Sequence, residues 1–460
     1  MEQETLREQY QRANRFGRPL FLERPLIGSP AGPAQAETNT SQIWGHLNSG
    51  FLVAYEYTRW YLESLALRQA AMIGDWSWLN KVLITGPDAE RFLNYASARD
   101  ITGQEPGQSK FTPMVADNGK IALEGLTMKL AEGEYLFTQS GALQWLRQVL
   151  AQSRFEGVEL TDVTPDYTCY ALQGPRAHDV LEAVVGEDWH DLRFARFRRT
   201  TFLETELIVA RQGVTGELGY ELLMRTDTGR AHELWRAVRE AGRGFGLREM
   251  GFKAQMVGHT ESNFPTVVRD YLPARMPPEK ARSFARLWTS QEELDVLEGD
   301  LTEHWCSPAE LGWGNRVDLH HDFLGRDALA AEADAGGPAR TITGLEWNSD
   351  DMSDLYAQLF RDDPSAPPPD LPYGQFRMEY LPVHADGARV GWATSATYSP
   401  TLRRMISFGR LDRAVTGPGT ELTVTWGAFS TEPTQEIRAV TRELPFLPDR
   451  RLTDLTAIER

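Results

Sequence analysis

One short pattern occurs twice, and it limits the folds open to this chain. A strand ending near Ile84 runs into Gly86-Pro87-Asp88 and a helix through Phe92. A second strand, Tyr167 to Leu172, runs into Gly174-Pro175 and a helix through Leu181. Proline suits the first helical turn, where its missing N–H has no intrahelical partner to lose. Two copies roughly 90 residues apart indicate two related αβ halves; a solenoid needs several stacked units. At 460 residues the chain exceeds one core and has room for about three domains of roughly 150 residues.

Other segments fill in this plan. Pro25 to Glu37, rich in proline and glycine, reads as an irregular lead-in. Leu62, Leu65, Leu67, Ala70 and Ala71 have the spacing of an amphipathic helix over Tyr61–Met72, as do Leu234, Trp235, Val238 and Ala241 over 230–245. A strand is expected at Lys81–Thr85. Residues 111–139 read as a meander, and 200–226 as a hairpin. After about residue 300 the pattern becomes all-β, with strands expected at Thr341–Glu346, Arg389–Ala393, Met405–Leu411 and Glu421–Trp426. Five prolines between Asp362 and Tyr373 require an extended loop there. A β-barrel-like C-terminal domain is the expectation.

Composition excludes several functions. A net charge of −17 argues against a general binder of nucleic-acid backbones, which needs basic surface, although a local basic pocket stays open. Cys169 and Cys306 are the only cysteines, too few for a disulfide framework or a Cys-rich metal site. No apolar run reaches the roughly 20 residues that cross a bilayer. The charged start Met-Glu-Gln-Glu-Thr-Leu-Arg-Glu is not a signal peptide, so a cytoplasmic protein with no membrane or nucleic-acid partner is expected. There is no GxxxxGK[ST] and no HExxH, and His320-His321 reads as a solvated turn, so no metal site is assigned.

The segment Arg211-Gln212-Gly213-Val214-Thr215-Gly216-Glu217-Leu218-Gly219-Tyr220-Glu221 is more specific. It is a tight glycine-rich turn with a carboxylate at the start of its return strand. Glu221 could accept two parallel hydrogen bonds from a planar amino-amide edge such as that of a pterin. Alone, the segment reads as a plain hairpin with a solvated glutamate.

Taken with four collinear partners, it resembles the glycine-cleavage T-protein superfamily of folate-dependent one-carbon carriers. Ala171-Leu172-Gln173-Gly174-Pro175 precedes it, and Asp75-Trp76-Ser77-Trp78 stands where the superfamily has an Asp-x-Ser-His stretch. Ser307-Pro308-Ala309-Glu310-Leu311-Gly312-Trp313-Gly314, continued by Asp322-Phe323-Leu324-Gly325-Arg326-Asp327-Ala328-Leu329, resembles its approach to the barrel. Thr394-Ser395-Ala396-Thr397-Tyr398-Ser399-Pro400-Thr401-Leu402 resembles its Thr-Ser-Gly-x-x-Ser-Pro loop. The resemblance spans roughly residues 40 to 430. Within it, Trp347-Asn348-Ser349-Asp350-Asp351-Met352 and Leu355–Phe360 are similar to the vanillate and syringate O-demethylases, and the chain as a whole resembles a tetrahydrofolate-dependent aromatic O-demethylase of that kind or of the dicamba demethylase kind.

The resemblance implies an α+β three-domain cloverleaf around a central folate site. Residues 1–39 form an N-terminal extension, 40–85 with 165–290 a discontinuous αβ domain, 86–164 a second αβ domain, and 300–446 the barrel-like domain. It implies tetrahydrofolate as cofactor, with Glu221 anchoring the pterin and Phe264, Thr138, Glu124, Trp76 and Tyr220 lining it. On the substrate side the chain departs from the vanillate enzymes: Gln255 replaces a tyrosine, Trp78 a histidine and Ser140 an arginine. Without that tyrosine as acid, a phenolate that already leaves well is favoured, and Trp78 with Trp44 suits an apolar ring. The implied substrate is a methoxybenzoate lacking a para-hydroxyl, such as the chlorinated dicamba. His46 and His259 are the candidate replacement acids or carboxylate partners. The implied products are 5-methyltetrahydrofolate and a phenol, with a functional link to recycling enzymes of the methylenetetrahydrofolate reductase type. Alternatives on the same scaffold are vanillate or syringate demethylation proper, N- or S-demethylation, aminomethyl transfer, and folate-binding assembly without turnover.

Overall fold

Glycine at the two Gly-Pro turns is required by backbone geometry. In the computed structural model Gly86 and Gly174 have φ of 118° and 123°, a region open to glycine and strained for other residues. A Cβ on Gly86 would sit 2.2 Å from the Gly157 carbonyl oxygen, and one on Gly174 2.7 Å from that of Ala70. The helices that follow are Ala89–Ala96 and Ala177–Val185. The structure describes residues 28–46, 51–286, 301–362, 366–371, 378–427 and 433–457, together with 5–8, 11 and 294.

Each copy of the unit belongs to its own sheet. In chain order the strands are β1 (Ile43–His46), β2 (Leu52–Glu56), β3 (Met72–Asp75), β4 (Lys81–Thr85), β5 (Ser109–Val115), β6 (Ile121–Ala131), β7 (Glu134–Thr138), β8 (Glu159–Asp162), β9 (Tyr167–Gln173), β10 (Arg196–Phe202), β11 (Thr205–Arg211), β12 (Gly219–Arg225) and β13 (Arg248–Met250). One six-stranded sheet has the order β10-β11-β12-β9-β3-β13, and a five-stranded sheet has the order β5-β6-β7-β4-β8. β4, expected in the first αβ domain, instead pairs with β7 and β8 in the second. The crossing between sheets therefore falls in the short stretch Trp76–Asn80, which is where the site forms.

The third unit is a closed barrel of β14 (Arg340–Trp347), β15 (Leu381–Ala385), β16 (Ala388–Ser399), β17 (Arg404–Asp412), β18 (Glu421–Trp426) and β19 (Gln435–Arg442), ordered β14-β17-β16-β15-β18-β19. Four of these strands were expected. β15 and β19 were not, and they close the cylinder and remove its free edges. Trp347, Tyr380, Val383 and Ile406 are among the buried residues of this unit. Trp347 donates its indole N–H to Ser407 Oγ at 2.9 Å. Asn348 caps the next helix, Ser349–Ala357, by accepting from the amides of Asp350 and Asp351. The Trp347–Phe360 segment thus supports the barrel and lies away from the central cavity. The expected lead-in at Pro25–Glu37 contains the short helix Gly32–Ala36, and its residues 25–27 lie outside the described residues. So do 363–365 and 372–373 of the proline-rich loop. Among the described residues no helix is long and apolar enough to cross a membrane.

Candidate active site

A cavity of about 590 Å³ opens where the two αβ sheets and the barrel approach meet. Glu221 lies in its wall on β12, a central strand held by β11 and β9, opposite Ala210 and Ala171. The small partners leave room for the carboxylate, which is only 6% exposed. Gln212 donates from Nε2 to Glu221 Oε2 at 2.5 Å. Ser109 Oγ donates to Gln212 Oε1 at 2.7 Å, which turns the amide so that its N–H faces the acid. Cys169 Sγ is 4.0 Å from the same carboxylate oxygen. Lys81, fully buried, donates to the carbonyls of Ser77 and Leu79 and puts a positive charge nearby. Burial outweighs Gln212 and Lys81 and raises the Glu221 carboxyl to about 7. Glu221 Oε1 accepts no hydrogen bond among the described residues, so that oxygen is open to a further donor.

A second acid faces the same cavity from β6. Glu124 accepts from Tyr271 Oη at 2.6 Å and from Gln139 Nε2 at 2.7 Å. Burial raises it to about 7, against those hydrogen bonds and the Arg275 charge. Arg275 donates to the Ser140 carbonyl at 3.2 Å. It lies so close to Gly141, which has φ of 80°, that a Cβ there would be 2.8 Å from the guanidinium carbon.

The third wall comes from the helix Phe252–Glu261. Gln255 and His259, one turn apart, face the cavity with Nε2 atoms 3.5 Å apart. His259 Nδ1 lies 3.0 Å from Thr266 Oγ1. Burial, with the Arg269 charge, lowers His259 to about 3, so the ring is neutral near pH 7. Phe264 meets His259 edge-on at 5.1 Å and Phe111 at 6.2 Å. Trp78 meets Phe252 edge-on at 6.2 Å. Arg99, Lys110, Arg316 and Arg451 also line the cavity, with Asp449 among them, a local basic cluster on an acidic protein.

Comparison with known proteins decides the family. A family model, the GCVT N-terminal domain, matches residues 43–285, more than half of the chain. The glycine cleavage T-protein C-terminal barrel domain matches residues 375–435. The chain belongs to the glycine-cleavage T-protein family. It is 33% identical to the sesamin methylene transferase of Sinomonas sp. (strain No.22) over 437 residues, covering 89% of this chain and 94% of that protein. It is 26% identical to the syringate O-demethylase of Sphingobium sp. (strain NBRC 103272 / SYK-6), covering 86% and 90%. The fold matches the glycine cleavage system aminomethyltransferase T from Bartonella henselae with a TM-score of 0.69 at 19% identity, over 93% of this chain and 99% of that one.

As a T-protein family member the chain is a one-carbon transferase with tetrahydrofolate as its cofactor. The cavity fits that group. Glu221 offers an unused carboxylate oxygen in a dry setting, where a donor pair from a pterin edge is worth most. Phe264 provides an aromatic wall, and the lining cations suit the carboxylates of a glutamyl tail.

Of the residues named from sequence, Glu221, Phe264, Thr138, Glu124, Trp76, Trp78, Ser140, Gln255 and His259 all line the cavity. Two do not. Tyr220 projects from the opposite face of β12, because successive strand residues alternate; its hydroxyl lies 2.8 Å from His178 Nδ1. Trp44, on the β1–β2 ribbon, packs against the core that holds Tyr57, Trp235 and Tyr220, so it does not reach the substrate side. His46 ends β1, and its side chain lies outside the described residues. Sequence reading missed Gln212, Lys81, Tyr271 and Arg275. Gln212 sits inside the diagnostic hairpin and could have been found as a donor beside an acid. The other three carry no local signal.

Proposed function

We propose that this T-protein family member demethylates an aromatic methyl ether carrying a carboxylate, passing the methyl group to N5 of tetrahydrofolate. The products are 5-methyltetrahydrofolate and the phenol. The observation that carries this reading is the pairing of a folate-suited wall at Glu221 with an apolar wall at Trp78, Phe252 and Met256 across one cavity. The similarity to a syringate O-demethylase supports it.

Tetrahydrofolate would supply the nucleophilic nitrogen. The chain's own residues hold the reactants in line and exclude water, which in this class of displacement is most of what a protein can contribute. The methyl carbon's bond to oxygen breaks with its electron pair leaving as phenolate, and the proton released from nitrogen balances that charge. Gln255 Nε2 and the neutral His259 are hydrogen-bonding groups on the substrate side, and neither brings a positive charge. Such a site favours a phenolate already stabilised by its ring. A methoxybenzoate without a para-hydroxyl and with chlorine substituents, such as dicamba, has that property. Arg275 or another of the lining cations would take the carboxylate. The 5-methyltetrahydrofolate formed would be recycled by enzymes of the methylenetetrahydrofolate reductase type.

A second reading has a specific support. The 33% identity to a sesamin methylene transferase favours a methylenedioxy ring as donor, with a methylene unit moved instead of a methyl. One assay separates the two. Purified protein with tetrahydrofolate is offered a chlorinated 2-methoxybenzoate, vanillate and a methylenedioxybenzene, and the folate product is identified by mass. The methyl reading expects 5-methyltetrahydrofolate, formed fastest from the chlorinated acid. Methylenetetrahydrofolate from the third substrate alone supports the second reading, and no folate-dependent turnover of any of them overturns both.

A further inference from the structure

Behind the sheet that carries Glu221, three side chains from the second Gly-Pro-helix unit converge on one point. His178 and Glu182 are one turn apart on the helix Ala177–Val185, so they share a face, and His190 folds back from the loop after it. His178 Nε2 is 3.2 Å from Glu182 Oε1. His190 Nδ1 is 3.3 Å from that same oxygen. The two ring nitrogens are 3.4 Å apart, with the rings nearly perpendicular at 82°. Three ligand atoms thus form a nearly equilateral triangle. A tetrahedral ion with Zn–N and Zn–O bonds of about 2.0 to 2.2 Å has ligand–ligand edges of roughly 3.3 to 3.6 Å.

The surroundings are those of a ligand set. His178 and His190 are buried, and Glu182 is one-third exposed, which leaves an approach from solvent. The other nitrogen of His178, Nδ1, lies 2.8 Å from Tyr220 Oη, a contact that orients the ring with Nε2 toward the triangle. Glu182 Oε1 is held by the Trp189 amide at 3.3 Å. Asp188 Oδ1 lies 2.9 Å from His190 Nδ1 and brings a second carboxylate to the cluster. The two carboxylates, Glu182 and Asp188, match the charge of a divalent cation.

We propose that His178, Glu182 and His190 form a structural Zn2+ site, with Asp188 or a water completing a tetrahedral shell. The site is separate from the folate cavity. Tyr220, which orients His178, is the sequence neighbour of Glu221 on the other face of β12, so the ion would tie the helix and its loop to the back of the strand that carries the anchor.

The test uses the full chain stripped with a chelator, gel-filtered and titrated with ZnCl2, reading bound metal by atomic emission and Tm by calorimetry. The expected result is saturable uptake of one Zn2+ per chain with a rise in Tm. Co2+ in its place should give the visible bands of a tetrahedral ion. Glu182→Gln and His190→Gln should each lose the uptake and the Tm rise while keeping the far-UV circular dichroism of the parent. The metal-free protein should keep its folate-dependent activity at temperatures below its Tm. Absence of saturable binding by the parent chain overturns the proposal without any variant. So does binding that survives both substitutions. Uptake lost instead in His320→Gln would place the ion at the exposed cluster of Asp100, His320 and His321, and would equally overturn it.

Discussion

Gln212 donates its amide N–H to Glu221 Oε2 at 2.5 Å, and Ser109 fixes which end of that amide faces the acid. Removing the amide leaves a buried carboxylate with weaker support. A hydrogen bond to a charged group contributes about 1.5–3 kcal/mol. Gln212→Ala is therefore expected to weaken tetrahydrofolate binding by roughly ten- to a hundredfold, as read by fluorescence titration. Glu221→Ala should abolish binding and leave the circular dichroism unchanged. Binding by Glu221→Ala within twofold of the parent would remove Glu221 from the site.

The burial of Glu221 has a consequence for stability with a definite sign. Its folded carboxyl is raised to about 7 from 4.5. The stability it contributes is full below about 4.5, where both folded and unfolded forms are protonated. It is lost as pH rises through 7, because the unfolded chain ionises first. The loss is on the order of 3 kcal/mol. Glu221→Gln should show a smaller fall in unfolding free energy between pH 4.5 and 7 than the parent, measured in urea without folate. Parallel curves would show that the acid is already ionised in the folded state.

Trp78 sets the apolar wall against Phe252 and Met256. Trp78→His should move preference from the chlorinated methoxybenzoate toward vanillate. About tenfold in the ratio of kcat/KM values is the scale expected for one such contact. An unchanged ratio would place ring selection elsewhere in the cavity.

His259 is neutral near pH 7, since its value is lowered to about 3. The pH profile of kcat between 5 and 9 should contain no limb from this ring. His259→Gln should lower kcat without altering the profile's shape. A limb near 6.5 that vanishes in the variant would show instead that the ring titrates during turnover.

Gly174→Ala forces a Cβ to within 2.7 Å of the Ala70 carbonyl at φ of 123°, and backbone cannot step aside cheaply. Its unfolding free energy should fall by at least about 1 kcal/mol, with a matching drop in Tm. A loss below that would show that the turn relaxes.

Much of this molecule was legible along the chain because the signals are local. The two Gly-Pro turns announced the two αβ units, since glycine conformation and proline position act within a few residues. The glycine-rich hairpin located Glu221 for the same reason. Strand alternation, had it been applied to β12, would have separated Tyr220 from Glu221, because the two must face opposite ways. What only the tertiary structure decided involves groups far apart in sequence. β4 joined the second sheet because its hydrogen-bond partners are β7 and β8. Tyr271 meets Glu124 across 147 residues, and Arg275 meets Ser140 across 135. The raised carboxyls and the neutral His259 depend on desolvation, which is set by every element closing over a residue and by no neighbour along the chain.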